Sequence, residues 1–468
     1  MLPSADGPAT DLDQLHLTLR LDPLTGKEEF ASYYRPQLNK VRGGDTAARL
    51  AIRLREAYQT LPLRAFLMGH SGVGKSTELT RVLEDVEEQY VGVRLSIAKE
   101  LSPASFKVFD VLLLMLARLA DRANELNAIP LEGMVSAHLV SDIEQWFASK
   151  QVKKIRTGTV GAEIEVGAGV KGGSPWAALL GFLFSAKAEA KYAAERKTET
   201  VEYHLQKLPD LVGYCNRLID ACAQTLKAKT GKEWLLVVED LDKNGISPPQ
   251  LQELFMQYGN VFEDLRVSMI FTIPVWLAYS SEANRLPFGP YRPYAIHDTP
   301  VYDRQHNPHE RGQEAVQTVL EARVSPSLFA PGQMTRLIVA SGGNLRVLFA
   351  LVLEAGQEAR LRNPPAAVIG PDDAQAAIAT MRQDYRRRLG QSPYDLNPIT
   401  YPQKLERLLA VYSSAPDNDV QDPVLYALLR GGAIQEFNGN GWFGVHPLVV
   451  DILKAQQHLK PQDPGGTD

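Results

Sequence analysis

Cysteine is nearly absent: two residues in 468, Cys215 and Cys222, which is too few for a disulfide framework. Both fall in one predicted helix over 211–227, two turns apart, too far to bridge, and are expected to be reduced core thiols of a cytoplasmic chain. Long apolar runs are also missing. No stretch approaches the roughly 20 residues of a membrane span, and Met1 to Asp6 lack the basic-then-apolar order of a secretory signal, so a membrane partner is not expected. Charge of one sign is missing too: 50 basic residues face 55 acidic ones, a net charge of −5 that argues against a nucleic-acid coat while leaving room for a local basic patch. His297, His306 and His309 share a Pro- and Tyr-rich loop but have no cysteine or firm carboxylate partner, which reads as a solvated loop, not a metal site. What the chain does have is an apolar share of 44% over a length suited to two or three domains.

Between the apolar run Ala65-Phe66-Leu67-Met68 and the amphipathic stretch Thr77 to Leu83 stands Gly69-His70-Ser71-Gly72-Val73-Gly74-Lys75-Ser76. This is a complete G-x-x-x-x-G-K-[ST] phosphate loop in the strand–loop–helix setting it requires. The glycines let successive N–H groups face a β-phosphate. Lys75 is expected to reach the β- and γ-phosphates and Ser76 to ligate magnesium, while the helix beginning there adds its positive dipole end. Residues Gly69 to Thr77 are therefore the expected holders of a nucleoside triphosphate with Mg2+.

A second apolar run, Trp234 to Val238, ends in Glu239-Asp240-Leu241-Asp242. Five apolar residues in a row predict a strand buried on both faces, with the carboxylates emerging at its C-terminal edge, where open α/β sheets bind ligands. Of Glu239 and Asp240, one is assigned to magnesium and the other to polarising the attacking water, with the order left open. Asp242 reads as a loop cap or as an outer member of the metal shell. One helix further on, Thr272 lies in the predicted strand Val267 to Pro274, where it is either a good β-former or a γ-phosphate sensor. Arg346, one turn into the helix announced by Ser341-Gly342-Gly343-Asn344, could reach the γ-phosphate from a lid, since guanidinium presents a planar fork of donors.

These four landmarks in this order resemble the AAA+ superfamily, in the branch shared by STAND-type and KAP-type ATPases and origin-recognition initiators. The wording GHSGVGKSTEL, VVEDLDK, TIP, SGGNLR and WFGVHPLV is similar to bacterial ATPases found beside defence effectors. The resemblance spans about 30–455. It implies an α/β fold with a parallel sheet, a helical lid, ATP rather than GTP, and hydrolysis that controls self-association or an effector in antiviral or stress signalling. One departure is that no arginine finger for a neighbouring subunit stands out; Arg285 and Arg323 are the candidates.

The expected organisation is a flexible leader over 1–28, an ATPase domain over 29–330, a helical lid over 331–395, a winged helix over 396–458 and a tail over 459–468. Two helices before the phosphate loop would cover the base. An insertion at about 152–204 interrupts the ATPase domain. Thr159 to Val166 and Ser185 to Tyr192 alternate like strands of a β-hairpin, and the connecting Pro175 to Phe184 is apolar. That tip would be buried against its own domain, in a partner or second copy, or in a membrane, with association favoured. At the C-terminus, two helices and a hairpin around Asn438 to Gly441 describe the winged helix. It would either bind DNA, as in an initiator or transposition ATPase, or pack on the nucleotide domain and hold it closed. The second helix offers only Arg430 as a cation, which favours packing.

Overall fold

The computed structural model describes residues 7–126, 136–148, 175–192, 198–243, 245–289, 292–393, 395, 398–414, 421–437 and 442–459. The apolar runs of the sequence become β1 (Arg64–Met68), β2 (Tyr90–Ser96), β3 (Glu233–Glu239) and β4 (Ser268–Ile273), joined by the short β5 (Tyr294–Ala295) in one sheet of order β2-β3-β4-β1-β5. All pairings are parallel, with Leu67 opposite Thr272 and Ser96 opposite Glu239. Parallel strands must be covered on both faces. Residues of β3 point alternately into two cores: Leu236 and Val238 into the larger, with helix Val108–Glu125, and Leu235 and Val237 into the smaller, with Leu50, Leu54 and Leu79. Because β4 lies between β1 and β3, the C-terminal ends of β1, β3 and β4 stand side by side, and Lys75, Glu239 and Thr272 converge from segments far apart in sequence.

The segment expected to be a loose leader is part of this body. Ala9, Leu12, Leu15 and Leu19 are all buried, and Leu12 and Leu15 lie against Gly356 of lid helix Leu345–Leu361. Leucines spaced three and four apart form an apolar helical stripe, and the lid supplies the surface that covers it. Residues 20–25 then line the nucleotide cavity itself.

The insertion also departs from expectation. Its first predicted strand, 159–166, lies outside the described residues. The second is helical, within Pro175–Tyr192. Alternating Lys/Glu with Ala mimics a strand period, but Ala, Leu, Glu and Lys are the strongest helix formers, and the stretch has no β-branched residue. Leu179 and Leu183, one turn apart, are fully buried beside helix Val108–Glu125, and Lys187 pairs with Glu100 at 2.6 Å. Phe182 packs half-buried on Phe147, while the side chains of Trp176 and Phe184 lie outside the described residues. This apolar stretch is docked on the helical layer beside the sheet, not presented on a hairpin tip. Among the described residues no helix is long and apolar enough to cross a membrane.

Helix Glu310–Glu321 precedes the expected lid, 331–395, which contains helices Gln333–Ala340, Leu345–Leu361 and Pro371–Arg388. Beyond it come helices Tyr401–Tyr412 and Pro423–Gly431, then antiparallel β6 (Ile434–Phe437) and β7 (Trp442–Val445), then helix Pro447–Ala455. The two strands lie on either side of the expected turn, Asn438 to Gly441, which itself lies outside the described residues. Helix Pro447–Ala455 packs on Pro371–Arg388, and Pro423–Gly431 packs on the short helix Val275–Ala278 after β4, so this unit touches both lid and sheet.

Candidate nucleotide site

Gly69 to Thr77 turn from β1 into helix Lys75–Asp85. Gly72 has φ +92°, and a Cβ there would come within 2.6 Å of Asn344 and Arg346, so only glycine lets the lid approach this closely. The Lys75 ammonium is buried and donates to Gly69 O at 2.8 Å, His70 O at 2.9 Å and Asp242 Oδ2 at 2.7 Å. Burial opposes charge on Asp242, yet Lys75 beside it holds its carboxyl below the usual range. Asp242, ranked behind its neighbours on sequence, is thus the carboxylate in direct contact with the phosphate-loop lysine.

Glu239 is paired with Arg94 of β2 at 2.6 Å, and Arg94 also donates to Thr80 Oγ1 at 2.6 Å and Ser76 O at 3.2 Å. Arg94 was not singled out on sequence. The available signal was a cation inside a strand with buried neighbours. Asp240 accepts from Ser96 Oγ at 2.5 Å and holds a left-handed φ of 69°, unusual for a non-glycine residue and placed at the end of β3. Thr272 is fully buried on β4, and its Oγ1 has no hydrogen-bond partner among the described residues although it lines the same cavity. An orphaned buried hydroxyl is costly unless it serves a ligand.

From the lid, Asn344 caps helix Leu345–Leu361 with its Oδ1 while its Nδ2 donates to Ser71 O at 2.9 Å. Arg346 Nη1 donates to Ser71 Oγ at 2.7 Å. The lid thus grips the phosphate loop directly. The cavity of about 720 Å³ continues from the carboxylates past Ser76 and Thr77 to the Leu21–Thr25 segment, Tyr34 and Phe349, a wall suited to a base.

The two finger candidates separate. Arg323 is buried in its own chain, donating to Tyr33 O and Val319 O at 3.0 Å with the Tyr33 and Phe349 rings beside its guanidinium. Burial lowers its pKa to about 10. It cannot be presented to a neighbour, because the N-terminal segment and the lid close over it. Arg285 is exposed, pairs with Glu282 at 3.0 Å and lies outside the cavity.

His70 does not line the cavity and faces the C-terminal unit instead. Its Nδ1 meets the buried Asp298 carboxylate and its Nε2 lies 3.2 Å from Leu429 O in helix Pro423–Gly431. Both ring nitrogens face acceptors, so the doubly protonated imidazolium fits the site. Burial works against that charge, and Asp298 outweighs it, raising the His70 pKa. Asp298 Oδ1 also accepts from Gln435 Nε2 at 3.2 Å, which donates to Gly342 O at 2.9 Å. His446 is the opposite case. Its Nδ1 accepts from Leu448 N and its Nε2 donates to Ser341 O at 3.1 Å, and burial drives its pKa down to about 3. It is a neutral structural bridge between β7 and the lid turn. Phosphate loop, lid and C-terminal unit thus share one buried polar network, which no local sequence pattern announces.

Magnesium needs only one or two protein oxygens when phosphates supply the rest. Ser76 with the carboxylates of Glu239 and Asp240 fits that donor set, and all three line the cavity.

Among solved structures, the chain is similar to the Walker-type ATPase PABY2304 of Pyrococcus abyssi (13% identity, covering 93% of this chain and 99% of that one, TM-score 0.39). It is also similar to the Aeropyrum pernix ORC1 protein in complex with DNA (11%, 95% and 97%, TM-score 0.37) and to Cdc6p from Pyrobaculum aerophilum (10%, 88% and 94%, TM-score 0.36). No family model and no curated protein matches the chain. The strand order, with β4 between β1 and β3 and the phosphate loop leaving β1, gives the chain a P-loop-type α/β fold with a parallel sheet.

Proposed function

We propose that this protein binds and hydrolyses Mg·ATP and uses the γ-phosphate to set how the lid and C-terminal unit hold the phosphate loop. The observation that carries this reading is the double grip on one loop. Lys75 faces the cavity, while Ser71 is held by Asn344 and Arg346, and His70 by Asp298 and Leu429 O.

When bound, magnesium would neutralise charge on the β- and γ-phosphates. Ser76 and one of the two carboxylates would hold it, and the other would orient the attacking water. The Arg94 pair fixes Glu239 beside Ser76, which favours Glu239 for the metal and Asp240 for the water. Thr272 Oγ1 is free to donate to the γ-phosphate, and Arg346 can transfer its donor from Ser71 to the same group. Since ADP lacks that acceptor, nucleotide identity would be read as lid position. The expected consequence is a change in self-association or effector contact; the setting in defence or stress signalling rests on sequence resemblance alone.

The test is equilibrium ATP binding and phosphate release. Asp240→Asn should bind ATP with near-parent affinity and lose turnover; parent-rate hydrolysis would remove Asp240 from the chemistry. The DNA-loading alternative gains nothing from helix Pro423–Gly431: Arg430, its one cation, is paired with Asp395. A salt-dependent DNA-binding measurement with ATP separates the two readings.

A further inference from the structure

A second cavity, of about 390 Å³, lies between the lid and the C-terminal unit and shares no lining residue with the nucleotide cavity. Four cationic side chains line it against two carboxylates. Asp303 is turned to its own loop, accepting from Gln305 N and Asn307 N at 2.9 and 2.8 Å. Arg336, Arg382 and Lys454 come from three different helices and act electrostatically on Asp451, yet none comes within 4.0 Å of its carboxylate. Burial pushes the Asp451 carboxyl up, and the three cations only partly oppose this. Arg382 is half-buried and makes no hydrogen bond or ion pair among the described residues, unlike Arg360 and Arg362 of the lid, which are paired with Asp13 and Asp373.

Unspent positive charge in a concavity calls for an anion, and a guanidinium fork beside an ammonium suits phosphate. The remaining walls are aromatic: Tyr412, with His306 stacked on it at 4.0 Å, half-buried Trp442, which packs on Phe437 and carries the Arg304 guanidinium 5.6 Å from its ring centre, and half-buried Phe443, edge-on to Tyr279. Flat aromatic walls next to cations suit a ligand with a planar ring and a phosphate. The floor includes Gln435, the side chain that also reaches Asp298 and Gly342.

We propose that this cavity binds a small phosphate monoester carrying a flat ring, with Arg382 and Lys454 on the phosphate, Trp442 and Phe443 against the ring, and Asp451 accepting a hydrogen bond from a hydroxyl or amino group. The probe is 4-nitrophenyl phosphate, titrated calorimetrically into the full chain saturated with Mg·ADP so that the phosphate loop is already filled. One saturable site is expected, with affinity roughly tenfold above that of inorganic phosphate because the ring adds contact. Arg382→Ala combined with Lys454→Ala should weaken it by roughly tenfold or more, with ADP affinity unchanged as the check on folding. Trp442→Ala should bring the aryl phosphate down to the level of inorganic phosphate. If Trp442→Ala does not fold, the exposed Lys454→Ala alone carries the test. Absence of saturable binding, equal affinity for aryl and inorganic phosphate, or indifference to the loss of Arg382 and Lys454 would each overturn the proposal.

Discussion

The His70–Asp298 pair offers the sharpest test of how the phosphate loop is tied to the C-terminal unit. His70→Leu would leave a carboxylate that is 1% exposed with only the 3.2 Å bond from Gln435. Breaking a buried ion pair from one side costs about 3–5 kcal/mol, whereas removing both charges is close to neutral. At pH 6, His70→Leu should therefore lose about 3 kcal/mol or more, Asp298→Asn a similar amount, and the double variant far less than the sum. Because the His70 pKa is raised on folding, its contribution is complete below the unfolded value near 6.5 and is lost as pH rises through the folded value. Over that window the advantage of the parent over His70→Leu should shrink by about 1.4 kcal/mol per pH unit. Asp298 has a lowered pKa, so its own contribution is lost only on acidification, well below pH 6. Urea denaturation followed by the fluorescence of buried Trp234 and Trp276 gives the four stabilities. A coupling energy below about 0.5 kcal/mol, or a His70→Leu penalty that grows with pH, would refute the charged-pair assignment.

Three further outcomes are expected. Lys75→Ala should abolish tight nucleotide binding and also destabilise the protein by about 3 kcal/mol, because buried Asp242 loses its partner. Adding Asp242→Asn should restore stability but not binding, and equal recovery of both in binding and melting assays would contradict the site. Arg346→Ala should narrow the affinity gap between ATP and ADP more than it weakens ADP binding; equal loss for both in a titration would make Arg346 a structural clamp on Ser71. Leu183→Ala, deep beside helix Val108–Glu125, should cost about 2–5 kcal/mol, whereas its near neighbour Ser185→Ala on the exposed side should be neutral; equal melting temperatures would put the insertion helix outside the core.

The phosphate loop was legible because its chemistry is local: glycines, lysine and serine at fixed spacing must follow a strand and start a helix, and they do. Strands β1, β3 and β4 were legible for a similar reason, since both-face burial writes itself as an apolar run, whereas β2 carries Arg94 within it. Alternation misled at 185–192, where a period of two coincided with residues of high helix propensity and the buried face of Leu179 and Leu183 decided the outcome. The leader was misjudged because its leucines acquire meaning only against Gly356, more than 300 residues away. Arg323 was a finger candidate until the rings and carbonyls that enclose it, from Tyr33, Val319 and Phe349, came together. The sequence by itself determined which loop carries the phosphate-binding pattern and that it joins a strand to a helix, because that pattern is made by contiguous backbone. Only the tertiary structure decided that Asp242 meets Lys75, that Arg94 holds Glu239 and that His70 ties the loop to Asp298, because pairing of buried charges depends on which strand ends and helices share a neighbourhood, and spacing along the chain does not encode that.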